Sequence, residues 1–88
     1  MKLKYDFVIN SVADKMIAVP IGKDTEDFNG FIKLNNVGAS IFTMLKEDCT
    51  EEQIVSALQN EYEDATNEEI RETVKEFIAR LEKEDLLA

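Results

Sequence analysis

Phe28-Asn29-Gly30-Phe31-Ile32-Lys33-Leu34-Asn35-Asn36-Val37-Gly38-Ala39-Ser40-Ile41-Phe42-Thr43-Met44-Leu45 is the stretch on which the fold turns. Asn29-Gly30 is a strong turn signal, because both residues tolerate positive φ. Phe31 to Leu34 alternate like a short strand. Asn35 and Asn36 are good helix N-caps, and Val37, Ile41 and Leu45 then fall on one helical face. Upstream the pattern has the period of strands, downstream that of helices. The stretch is the hinge between them.

Upstream, Tyr5, Phe7 and Ile9 share one face at period two, with Asp6, Val8 and Asn10 opposite. Ser11 to Asp14 form the expected turn. A second strand runs from Lys15 to about Ile21, with Ile17, Val19 and Ile21 on one face and Met16 and Ala18 on the other. Pro20 cannot donate to a ladder, so it belongs at the strand's end or where its missing N–H has no partner to meet. The polar, acidic link from Gly22 to Asp27 leads into the Asn29-Gly30 turn. Three strands in sequence with short links predict an antiparallel meander. Its third strand, Phe31 to Leu34, pairs on one side only.

Downstream, three helices are expected. The first covers Asn36 to about Lys46. Thr50 with Gln53 opens the second through a capping box, and Ile54, Val55, Leu58 and Tyr62 point inward. Thr66 with Glu69 opens the third, from about Asn67 to Glu84. Its stripe of Ile70, Val74, Phe77, Ile78 and Leu81 predicts a buried face that includes Phe77. Leu86 and Leu87 then fold back onto the core. The order β-β-β-α-α-α predicts one α+β domain over residues 1–88, winged-helix-like in layout.

Composition narrows the chemistry. The chain has 88 residues, no histidine, one cysteine and a net charge of -9. No imidazole base or histidine ligand exists, and Cys49 alone cannot hold zinc or an iron–sulfur cluster. Gly22, Gly30 and Gly38 are too far apart for a phosphate-cradling loop. No catalytic residue, metal site or cofactor is therefore expected. Glu68, Glu69, Glu72 and Glu76 read as a solvated helix surface, partly paired with Lys75 and Arg80. A lone thiol, no run approaching the ~20 apolar residues of a membrane span and no signal-peptide pattern place the expected location in the cytoplasm.

Two surfaces remain for binding. The exposed side of the third helix carries more acid than base, which opposes DNA phosphate. The free edge of the third strand is either simply short, and so harmless, or a site where a peptide adds as a further strand.

A resemblance bears on this choice. The colinear pattern Met16-Ile17-Ala18-Val19-Pro20-Ile21-Gly22, then Phe28-Asn29-Gly30-Phe31-Ile32 through Leu34-Asn35 to Gly38-Ala39 and Ile41-Phe42, resembles the PqqD family. Thr50-Glu51-Glu52-Gln53-Ile54, Val74 with Phe77-Ile78 and Leu81, and the terminal Leu86-Leu87 continue it. Phe42 stands where tryptophan is usual, Asn36 at a common glutamate position, and Glu84-Asp85 where glycine precedes the last leucines. The family is named for pyrroloquinoline quinone biosynthesis. It also supplies recognition elements for precursors of ribosomally made, modified peptides.

The resemblance implies a winged-helix-like, non-catalytic domain that binds a precursor's leader peptide as an added strand. It presents that peptide to a maturation enzyme, typically of the radical S-adenosylmethionine type. Carried onto this chain, the implied peptide-binding residues are Phe31, Ile32, Lys33 and Leu34 at the edge. Val74 and Ile78, with Arg71 and Lys75 beside them, are those on the helix. Neither nucleic acid nor membrane is an expected partner. The alternatives are a winged-helix regulator that binds DNA and a subunit that docks onto an enzyme without a peptide role of its own.

Overall fold

The computed structural model describes residues 1–21 and 30–88. Three strands, β1 (Phe7–Val12), β2 (Lys15–Pro20) and β3 (Ile32–Leu34), precede three helices, α1 (Asn36–Met44), α2 (Glu51–Glu61) and α3 (Asn67–Lys83). The sheet is antiparallel in the order β1-β2-β3, so the expected meander is present with β3 at one edge. The expected acidic link, Gly22 to Asp27, and Asn29 of the expected turn lie outside the described residues.

β1 runs to Val12, so the turn narrows from four residues to two, Ala13-Asp14. Ala13 takes φ 56, the left-handed value that a two-residue hairpin demands of its first loop residue. The inward face of the hairpin carries Phe7, Ala18 and Pro20, all buried. Ile17 and Val19 of β2, together with Ile21, lie on the opposite face. Phe31 stays outside β3 and is 54% exposed.

Each helix starts where its cap predicts. The Asn35 side chain accepts from the Gly38 N–H at 2.7 Å. Thr50 exchanges bonds with Gln53, and Thr66 with Glu69, completing both capping boxes. The exit of α3 is a Schellman turn: the Leu86 N–H donates to Leu81 O at 2.9 Å and the Asp85 N–H to Glu82 O at 3.1 Å. Asp85 occupies the left-handed position, φ 58, where glycine is usual. The reversal drives Leu86 into the core beside Leu81, both without exposed surface. Leu3 then bridges antiparallel to Leu87, and the Lys4 N–H donates to Leu86 O at 2.8 Å.

The core lies between the inner sheet face and the helices, built on Phe42, Ile41, Leu45, Ile54, Leu58, Val74 and Leu81. Phe42 packs edge-on against Phe7, centroids 5.0 Å apart, and against Phe77 at 6.5 Å. One expectation fails here. Phe77 is only half-buried, because Val74 and Leu81 occupy the centre of the α3 stripe and Phe77 falls at its rim.

Candidate functional site

Strand register decides which groups the β3 edge offers. In a two-residue hairpin the closing pair, Val12 and Lys15, is hydrogen-bonded, and such pairs recur at every second residue. The Ile21 N–H donates to Asp6 O at 3.0 Å, which continues that phase. Odd residues of β2 therefore turn their main-chain groups toward β1, and Met16 and Ala18 turn theirs toward β3. Their partners are Leu34 and Ile32. Pro20 would come next on the β3 side; it has no N–H, and the ladder stops short of it.

The consequence falls on Lys33. Its N–H and C=O point away from β2, and among the described residues neither has a backbone partner. At the following outward position the Asn35 carbonyl is already used, accepting the Ala39 N–H at 2.9 Å. Ile32 and Leu34 spend both their main-chain groups on β2 and their side chains in the core, at 5% and 8% exposure. The Lys33 side chain is exposed on the outer face, as is Phe31.

On α3, Val74 is fully buried and Ile78 is 6% exposed, so both are core residues with little surface to offer. Arg71 reaches the other way, forking onto the Glu52 carboxylate of α2 with one of its two bonds at 2.9 Å. The guanidinium holds the Glu52 carboxyl below its ordinary value. Lys75 is exposed on the same side.

The flank of α3 that meets the end of β3 is a different one. A Cβ built on Gly38 would stand 3.0 Å from Phe77 Cε1 and 3.5 Å from Leu34 Cδ2, so these two side chains converge over that glycine. Beside them is a cavity of about 230 Å3 lined by Asn35, Gly38, Thr73, Glu76, Phe77 and Arg80. Arg71 and Lys75 lie about 120° and 160° around the helix from Phe77. The eight residues marked by sequence thus split: Phe31 and Lys33 are exposed near the edge, Ile32, Leu34, Val74 and Ile78 are buried in the core, and Arg71 and Lys75 face elsewhere.

Phe77, Thr73 and Arg80 escaped the sequence reading as site residues. Phe77 fell inside an apolar stripe that read as core throughout. A signal existed in Gly38, since a glycine within a helical pattern marks a close approach by a neighbour. That neighbour is Phe77.

Nucleophilic chemistry has little support in the geometry. Cys49 is half-buried, burial pushes its thiol up, and its Sγ donates to Met44 O at 3.6 Å. No helix among the described residues is long and apolar enough to cross a membrane. Among the described residues, the site offers a strand edge with no further partner beside a cleft that Phe77 walls on one side and Thr73, Glu76 and Arg80 line with polar groups.

No curated protein matches the chain. Its structure is similar to that of TbiB1 in complex with the TbiA(beta) leader peptide, with a TM-score of 0.72 and 23% sequence identity over 99% of this chain and 94% of that one. The family model for coenzyme PQQ synthesis protein D matches residues 16–87, nearly the whole length. The chain belongs to the PqqD family.

Proposed function

We propose that this protein is a non-catalytic recognition element that takes the leader of a ribosomally made precursor peptide as a fourth strand on β3. The observation that carries this reading is the open main chain at Lys33 beside the Phe77 cleft, in a PqqD-family fold. The similar fold of TbiB1, solved with a leader peptide, supports it.

An added antiparallel strand bonds to the Lys33 N–H and C=O and continues the sheet. Its alternate side chains point inward, toward Phe77, Thr73 and Arg80, and these give selectivity. Phe31 and Lys33 flank the strand from the outer face. Main-chain bonds supply sequence-independent affinity, and the cleft offers the Phe77 ring to apolar side chains and Thr73, Glu76 and Arg80 to polar ones. The domain then presents the bound precursor to a maturation enzyme of the radical S-adenosylmethionine type, the usual partner of the family.

The test is an amide-shift titration with a candidate precursor leader peptide. Shifts at residues 31–35 and 73–80 are expected. Shifts confined to α1 and α2, with Lys33 unmoved, would overturn the strand-addition reading.

A further inference from the structure

The sheet has a second edge, and it is the less guarded one. β3 is three residues long and carries a lysine, two devices by which exposed edges avoid pairing. β1 is six residues, Phe-Val-Ile-Asn-Ser-Val, with no charge, no proline and no glycine, in a chain that is 33% charged. Its register with β2 is continuous from Phe7 to Val12, so no bulge bends it away. α1 packs mainly on β2 and β3, and meets β1 at its start through Phe7 against Phe42.

The hairpin phase fixes what this edge presents. Val8, Asn10 and Val12 bond to β2, so Ile9 and Ser11 turn their N–H and C=O outward. Among the described residues, neither makes a backbone bond outside the hairpin. Val8 and Val12 are 38% and 57% exposed on the outer face. On the inner side a groove of about 530 Å3 opens between the hairpin and α1 with α2, its lining including Ile9, Met16, Met44 and Tyr62.

We propose that β1 pairs antiparallel with β1 of a second copy of this chain, joining two sheets into one of six strands. The sequence is self-complementary about Asn10. With Asn10 on the dyad, Ile9 faces Ser11 of the second copy, and Ser11 faces its Ile9. These are the residues with outward main-chain groups, so each pair exchanges both hydrogen bonds. Val8 faces Val12 across the dyad as a close apolar pair, and the two Asn10 side chains meet. The inward Ile9 of each copy comes to the mouth of the other's Met16–Met44 groove, where flexible thioethers adapt to it.

A second copy fits this edge better than a charged partner because the strand carries no charge to complement. The pairing leaves both β3 edges free, so the dimer holds two separate peptide sites. Edge pairing of one short strand is a small interface, and the association is correspondingly weak. The net charge of -9 on each copy opposes it, so salt tightens the dimer.

Sedimentation equilibrium of the full chain, without peptide, tests this at increasing concentration and at low and high salt. The expected result is a weak dimer, tighter in high salt, with concentration-dependent amide shifts at residues 8–12. Ser11→Pro removes an outward donor and abolishes it. Asn10→Lys, at an exposed position, puts like charges on the dyad and weakens it about two- to fivefold. An equimolar mixture of Asn10→Lys with Asn10→Asp restores it as a heterodimer. A monomer under all conditions, a dimer indifferent to both variants, or shifts on β3 or the helices would overturn the proposal. Displacement of the dimer by a leader peptide seated on β1 would overturn it too.

Discussion

Two prolines placed one residue apart on β3 should have opposite consequences. Lys33→Pro removes an N–H that faces solvent, and an edge strand tolerates proline when its missing donor has no ladder partner. The fold should survive, with a dispersed amide spectrum and an unfolding midpoint close to that of the wild type. Peptide binding should suffer, because one intermolecular bond is lost and the opposing peptide carbonyl is left unmatched. At about 0.5–1.5 kcal/mol for the bond, with part of the desolvation cost added, the loss of affinity is about tenfold.

Ile32→Pro acts on the other side. The Ile32 N–H faces β2 opposite Ala18, and its side chain is 5% exposed in the core. Losing a ladder bond and a buried side chain costs about 3 kcal/mol or more. A domain of this size holds about 4–13 kcal/mol in all. The variant should therefore be strongly destabilised, and its weak binding should track the unfolded fraction. Calorimetric titration with the leader, beside urea unfolding of each variant, separates the two. A Lys33→Pro protein that binds like the wild type, or an Ile32→Pro protein that folds normally yet fails to bind, would refute the hydrogen-bond phase and the site built on it.

Other consequences follow from the same geometry. Leu81→Ala, at a site with no exposed surface, should cost about 2–5 kcal/mol in urea unfolding, a large share of the total. Phe77→Ala should cost less, about 1–2 kcal/mol for a half-buried ring, yet weaken leader binding more than Lys75→Ala, which faces away from the cleft. Glu52 should titrate at lower pH than it does in an Arg71→Gln variant, read from its side-chain carbon shifts. A depressed carboxylate contributes stability above its unfolded-state value and loses it as pH falls through the folded-state value, so the two proteins should converge in stability under strong acid. Duplex DNA at moderate salt should produce no mobility shift, and a sequence-specific complex surviving there would favour the regulator reading.

Much of this architecture was legible because local chemistry and global fold agree. Three caps, Asn35, Thr50 and Thr66, each satisfy an orphan donor with their own side chain, so helix starts are written in single residues. Pro20 announces the end of β2 because no other residue removes a ladder donor. The failures have one cause. A stripe at helical spacing says which residues turn inward, but not which is central and which lies at the rim. Phe77 and Val74 were therefore indistinguishable until Gly38 and Leu34 were placed around one of them. Likewise, period two gives the faces of a strand but not the direction of its main-chain groups. That phase came from the Ala13-Asp14 loop, two residues where the sequence predicted a turn of four, Ser11 to Asp14.

The winged-helix-like layout also explains why the third helix need not read DNA. In that use, α3 must present a basic exposed face to phosphate. Here residues 35–88 carry fourteen carboxylates against five bases, with Arg71 and Arg80 engaged by Glu52 and Glu84. The described sheet segments carry Lys2, Lys4, Lys15 and Lys33 against Asp6 and Asp14 alone. The strands carry only Lys15 and Lys33, and over the full sequence residues 1–34 are neutral, so the whole net charge of -9 lies in residues 35–88, where it repels polyanions. A peptide laid on β3 meets a neutral-to-basic edge on one side and the Phe77 cleft on the other. If a leader peptide binds there, the cleft offers it both the Phe77 ring and the charged groups of Glu76 and Arg80, while the acid of the helical layer opposes polyanions.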